Sequence, residues 1–277
     1  MKFTARQPGT NVNISTTHPL KEFAMLAGGL LAVIVGGYLA LGVVVDLIVP
    51  RLSMDLEEKL AGAFMGRLAE SDEMADATRT VQAMVDQLRD RCAPLPYTIT
   101  VHVQRAEAVN AAALPGGHMV VFTGLLEKMT SENELAFVLA HELGHYAHRD
   151  HLRGLGRALV LMTASTVLLG ADNSINGMIG QGMLLTELSF SRKQETRADE
   201  FALETLACHY GHVAGATAFF NKIPADGDPG RFGHYFASHP ENRRRIAHLE
   251  AMARERGYPR GDLRPLPVEL TAEDNPS

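Results

Sequence analysis

The chain has 277 residues, is 46% hydrophobic and carries a net charge of −6. That length supports one sizeable core with a helical appendage, and an acidic chain with no basic stripe interleaved with aromatics leaves no role for nucleic acid as a partner. The two cysteines, Cys92 and Cys208, have neither zinc-ribbon nor redox-pair spacing; they read as two buried thiols, or as a disulfide if the domain lies in an oxidising compartment.

Residues 1–22 are polar and mixed, with Pro8, Gly9 and Pro19, and read as a flexible tail. From Phe23 to Val49 the chain is apolar apart from Asp46. This run exceeds the roughly 20 residues that cross a bilayer and the about 7–15 of a signal-peptide core, and no small-residue cleavage site follows it. A single retained transmembrane helix at 23–49 is the expectation. A buried core helix of this length would normally show a polar face. Lys2, Arg6 and Lys21 on one side balance Arg51, Lys59 and Arg67 on the other, so the cations do not orient the span.

A catalytic domain is expected over 53–256. Residues 53–91 show helical periodicity in two pieces broken near Ser71-Asp72, with Met74, Ala77, Val81, Met84, Val85 and Leu88 as a core-facing stripe. Tyr97–Gln104 alternates as a strand. Residues 108–113 and 118–123 flank Pro115-Gly116-Gly117 as a hairpin, and a helix begins near Gly124-Leu125. Ser131 and Glu134 form a capping box that opens the next helix. Residues 152–169 read as a buried or membrane-grazing helix. Residues 171–182 read as a mobile Gly/Asn-rich loop, part of a candidate lid over 152–182. A helix from about Met183 to Tyr210, a loop at Pro224–Gly230 and a charged helix at 240–256 follow. The proline- and acid-rich segment 257–277 is expected to be disordered.

The chemistry gathers at His141-Glu142-Leu143-Gly144-His145. Residues four apart share a helical face, so both imidazoles can reach one Zn²⁺ while Glu142 projects beside it, toward the water it would deprotonate. A catalytic zinc has three protein ligands and one open place. His151 lies six past His145, the metzincin spacing, but the glycine that pattern needs is replaced by His148. A carboxylate on a later helix is the other solution. Glu195 and Asp199 lie four apart, so Glu195 can bind the metal and Asp199 can hold the non-metal nitrogen of His141. Small Ala198 and Ala202 would let the two helices approach closely. Read alone, that segment is equally a solvated charged face. His239 offers an oxyanion donor or a cap on the helix beginning at Pro240. His148 and His151 read as polar residues at a helix end, not as ligands. The edge near Asn110, Ala111, Ala112 and Ala113 can pair with an extended peptide, or be a purely structural hairpin.

Asn110-Ala-Ala-Ala-Leu-Pro-Gly-Gly117 with Val120–Leu126, then HELGH, then Glu195–Asp199, then Ser238-His239-Pro240 before Arg245-Ile246 resemble, in that order, the HtpX-like and CAAX-prenyl-protease-like zinc endopeptidases of the gluzincin group. The resemblance covers about 95–250. It implies an α+β, mainly helical zincin-type domain with a small β-sheet at the cleft, one Zn²⁺ held by His141, His145 and Glu195, and Asp199 behind His141. It also implies His239, with Arg245, near the scissile bond. Multi-span members differ from this chain, which has one clear span. That favours a single-pass protease of unfolded or damaged polypeptides at a bacterial-type inner membrane, with its catalytic domain extracytoplasmic, over prenyl-peptide processing. Rival expectations are a non-cleaving zinc-containing chaperone or binding module, and a zinc hydrolase of small non-peptide substrates.

Overall fold

The computed structural model describes residues 18–65, 74–156, 166, 170, 190–223, 230–232, 235, 238–239 and 242–271. The loop expected at 171–182, all but Gly230 of the loop expected at Pro224–Gly230, the proposed lid over most of its length, and the stretch 183–189 lie outside these residues. The chain divides into two compact units, Met1–Val44 and Val45–Ser277.

Helix α1, Pro19–Ile48, starts within the segment expected to be a tail, with proline where a helix needs no N–H donor. It is long and apolar enough to cross a bilayer. Leu20, Phe23, Leu26, Leu30, Val33 and Leu39 are all exposed, as they would be in contact with lipid rather than with a protein core.

In the second unit, α2 (Met54–Met65) and α3 (Ala75–Cys92) precede a three-stranded sheet. Its strands are β1 (Thr100–Gln104), β2 (Ala111–Leu114) and β3 (His118–Phe122), in the order β1-β3-β2. β1 runs parallel to β3, with Val101 opposite Met119, and β2 runs antiparallel to it, with Ala112 opposite Val120. Gly116 and Gly117 turn the hairpin with φ of 75° and 80°, values that L side chains rarely adopt. α4 (Thr123–Leu126) leads into α5 (Glu132–Ala147), which is buried from Asn133 to Tyr146. Val81, Val85 and Leu88 of the predicted stripe, the inward side chains of the sheet, and Leu135, Leu139 and Leu143 form the core. A helix buried on every side needs no polar face.

Ser131 caps α5 by accepting from the Glu134 N–H, but the box is only half made. The Glu134 carboxylate turns instead to the Thr130 N–H and to Lys222. The helix expected from Met183 begins at Arg192 (α6, Arg192–Tyr210), where Ser191 and Gln194 form a complete capping box. The last long helix is α7, Asn242–Glu255.

The segment after Pro259 is expected to be disordered, but its described residues 260–271 pack on the domain. The Arg264 carbonyl accepts from Glu132 N–H, the Arg264 N–H donates to Asn133, and Leu270 is buried in the core. Leu266 and Leu270 cover apolar surface that its proline and acid content conceals.

Cys92 and Cys208 are not buried thiols; they are joined in a disulfide that ties the ends of α3 and α6, 116 residues apart. Closing a loop of that size stabilises a domain by about 2–4 kcal/mol in practice. Thermal melts with and without reductant should therefore differ by roughly 5–15 °C. A Cys92→Ser/Cys208→Ser variant that melts with the oxidised protein would remove this contribution.

Glu57 of α2 is buried and accepts from Tyr97 Oη (3.1 Å), Gly116 N–H (3.2 Å), Arg149 Nη2 (3.0 Å) and His151 Nε2 (2.8 Å). His151 is thus a buried partner of Glu57, not a polar residue at an open helix end. Burial works to raise the Glu57 pKa, but these donors outweigh it and hold it below the ordinary 4.5. A depressed carboxyl stabilises the fold above its unfolded pKa, and that stability is lost as pH falls through the folded value. Acid denaturation followed by circular dichroism below about pH 4.5 should accordingly be shallower in Glu57→Gln than in wild type. Parallel acid limbs would show that Glu57 does not govern it.

Candidate metal centre

α5 and α6 can converge because their contact residues are small. A Cβ on Gly144 would lie 2.9 Å from Ala198 Cα and 3.1 Å from its carbonyl oxygen. The close approach expected of Ala198 is therefore present, with Gly144 as its counterpart.

This contact brings the sequence-predicted residues together. His141 Nε2 and His145 Nε2 are 3.1 Å apart. The Glu195 carboxylate lies 3.6 Å from the first and 3.5 Å from the second. The ligand atoms of His141, His145, Glu195 and His239 all lie within 4.8 Å of one another, and all four residues are buried. Imidazole and carboxylate donors buried at this density suit a divalent transition metal, which would hold them together without mutual repulsion.

The outward nitrogens are held too. His141 Nδ1 is 3.0 Å from Asp199 Oδ1, as the spacing predicts. His145 Nδ1 is 3.3 Å from Asp150 Oδ2, a partner that motif reading misses. The Phe190 ring stacks on His145 at 3.8 Å between centroids, and Tyr235 stacks on His239 at 4.8 Å. Neither aromatic has a sequence signal beyond being apolar.

The His239 side chain is turned inward. Its Nδ1 lies 3.0 and 3.1 Å from the Glu195 oxygens, and its Nε2 is 3.7 Å from Glu142 Oε1. Arg245 donates to Asp199 through Nε and Nη2, both at 2.7 Å, and its Nη1 is 2.6 Å from Glu195 Oε2. Arg245, which the resemblance places near the scissile bond, thus links the Asp199 and Glu195 carboxylates.

Electrostatics follow from this packing. Burial lowers the His141 pKa to about 4, against the upward pull of Asp199 and Glu195. Burial also disfavours the charged form of His145, but Asp150 and Glu195 outweigh it and carry that imidazole up to about 9. Glu195 feels burial first, yet His239 and Arg245 pull it well below the carboxyl range. Glu142 moves up, because burial prevails over His239 and His145. Its Oε2 has no hydrogen-bond partner among the described residues. A buried carboxylate with an unmatched oxygen is costly unless a ligand or substrate uses it.

β2 is an edge strand of the sheet, and its Ala111 and Ala113 are buried. Asn110 is fully buried and its carbonyl accepts from Phe122 N–H, so it is committed to β3. By strand alternation, Ala112 also faces β3, while the backbone groups of Ala111 and Ala113 point outward. The Ala113 N–H meets the Glu142 carboxylate.

Known proteins are similar in sequence to part of this chain. Mitochondrial metalloendopeptidase OMA1 of Schizosaccharomyces pombe is 32% identical over 54% of this chain and 45% of its own length. Metalloprotease LoiP of Escherichia coli is 31% identical over 54% of this chain and 61% of its own, and Metalloprotease YcaL of the same organism is 30% identical with the same coverage. The matched region thus spans about half to three-fifths of these relatives. The model of peptidase family M48 matches residues 73–253, more than half of the chain, and includes every residue of the buried cluster and its supports from α5, α6 and α7. The chain belongs to peptidase family M48.

Proposed function

We propose that this protein is a zinc endopeptidase that cleaves unfolded or damaged polypeptides at a membrane. The observation that carries this reading is the convergence of His141, His145 and Glu195 beside a buried Glu142 with an unmatched oxygen. His141, His145 and Glu195 would hold the metal. Bound zinc supplies a Lewis acid that polarises the peptide carbonyl and makes water acidic enough to attack near neutral pH.

The remaining steps belong to side chains and backbone of this chain. Substrate lies extended beside β2, pairing with the outward backbone groups of Ala111 and with the Ala113 carbonyl, since the Ala113 N–H meets Glu142. Such pairing reads backbone rather than side chains, so sequence preference is loose. Glu142 takes a proton from the attacking water and passes it to the departing amine. His239 Nε2, on the Glu142 side of the cluster, donates to the oxyanion. Asp199 fixes the orientation of His141, and Arg245 holds Asp199 and Glu195 in place.

α1 supplies a single membrane anchor, supported by its length and exposed apolar surface. The Cys92–Cys208 bond favours an oxidising compartment, hence an extracytoplasmic domain on a bacterial-type inner membrane.

A second reading has some support, because His239 brings the donors to four and a closed four-ligand zinc is structural. A structural site, however, gives no use to the unmatched Glu142 oxygen. One experiment separates the two. Casein hydrolysis by the full chain in detergent should stop on chelation and return with added zinc. Glu195→Ala should retain much less zinc than wild type by elemental analysis. Zinc-bound wild-type protein that cuts no polypeptide would support the binding-module reading, and unchanged zinc in Glu195→Ala would remove that residue from the ligand set.

A further inference from the structure

Asp150 follows His145 by five residues and is fully buried. One of its oxygens faces His145 Nδ1. The other accepts from Gln194 Nε2 (2.9 Å), Arg197 Nη2 (3.1 Å) and Arg153 Nη1 (3.2 Å). It stands to His145 as Asp199 stands to His141, and two of its donors lie in the first turns of α6, beside Glu195. A carboxylate accepting from Nδ1–H leaves the Nε2 lone pair free to point at a metal.

The chain reaches this position through a strained turn. Arg149 has φ of 54°, the only positive value at a non-glycine position among the described residues. An L side chain holds that conformation only where its surroundings enforce it. The enforcement comes from α2 and the residues just before it. Arg149 donates to the Leu52 carbonyl (2.9 Å) and to one Glu57 oxygen (3.0 Å), and His151 meets the other Glu57 oxygen (2.8 Å). One buried carboxylate therefore grips both neighbours of Asp150. Leu52 and Glu57 precede the region that matches the family, residues 73–253. Arg153 reaches further back to Asp46, but that pair is solvated and contributes little.

We propose that Asp150 is the positioning carboxylate for His145, and that Leu52 and Glu57 clamp the turn that presents it, so the segment following the apolar helix is part of the metal site's support. This rests on His145 being a ligand, as argued above.

Zinc affinity of the full-length protein, measured by chelator competition in detergent, tests it alongside melting temperature without metal. Asp150→Ala should weaken zinc by about 10–100-fold. Asp150→Asn should fall between, because its amide oxygen can still accept from Nδ1–H while its amide nitrogen opposes the Gln194 and Arg197 donors. Glu57→Gln should weaken zinc by a smaller factor than Asp150→Ala. A merely structural role would lower the metal-free melting temperature and leave affinity unchanged. Wild-type affinity in Asp150→Ala, or in Asp150→Asn if the alanine variant does not fold, overturns the role of Asp150. Wild-type affinity in Glu57→Gln overturns the clamp. If wild type itself holds no zinc, the metal-site reading falls, and this inference with it.

Discussion

Glu142→Gln should retain zinc at the wild-type level and lose about 10²–10⁴-fold in casein hydrolysis, the usual contribution of a positioned general base. The two side chains have the same shape, so the packing of α5 and the separation of His141 from His145 should not change. What disappears is the ability to accept a proton. The site favours that ability in two ways. Burial raises the Glu142 carboxyl above its ordinary value, so a proton taken up is held long enough to be passed on. One oxygen also has no partner among the described residues, so it is available to an incoming water. Elemental analysis and turnover on the same sample separate the outcomes. Loss of both zinc and activity would make Glu142 a structural support of the site. Full activity would remove it from the mechanism.

The parts of this centre that were legible in the sequence are those with local geometry. His141 and His145 share a face because a helix repeats every 3.6 residues, and Glu195 and Asp199 do so for the same reason. Ser131 announced the start of α5, and Ser191 with Gln194 carries an equally good signal for α6. The apolar residues before Ser191 obscured that signal by suggesting a longer helix. Asp150 is close to His145 in sequence, yet its approach depends on the left-handed turn at Arg149, which no periodicity encodes. Glu57 is 94 residues from His151, and Cys92 is 116 from Cys208. Pairings at that distance depend on how the elements pack, not on their spelling. The segment at 258–271 departs from the expected disorder for a related reason. Its proline and acid content suits a solvated tail, while its binding to the domain rests on a few residues such as Leu266 and Leu270, plus backbone bonds to the start of α5.

Arg245→Met should destabilise the metal-free domain by about 3–5 kcal/mol, because it leaves two buried carboxylates without their shared cation. For a domain of this size that corresponds to a fall in Tm on the order of 10 °C. The guanidinium is 5% exposed, binds both Asp199 oxygens, meets Glu195 and packs over the Phe220 ring at 4.6 Å. Methionine keeps much of the apolar contact and removes the charge. Zinc should then recover more stability in the variant than in wild type, since the metal becomes the remaining counter-ion for Glu195. This zinc-dependent rescue distinguishes a positioning cation from a residue that acts on substrate. A group that touches the scissile bond would lower turnover at saturating zinc and leave the metal-free Tm near that of wild type. That result would return Arg245 to the substrate side of the cleft and leave Asp199 and Glu195 needing another explanation for their coexistence in the dry interior.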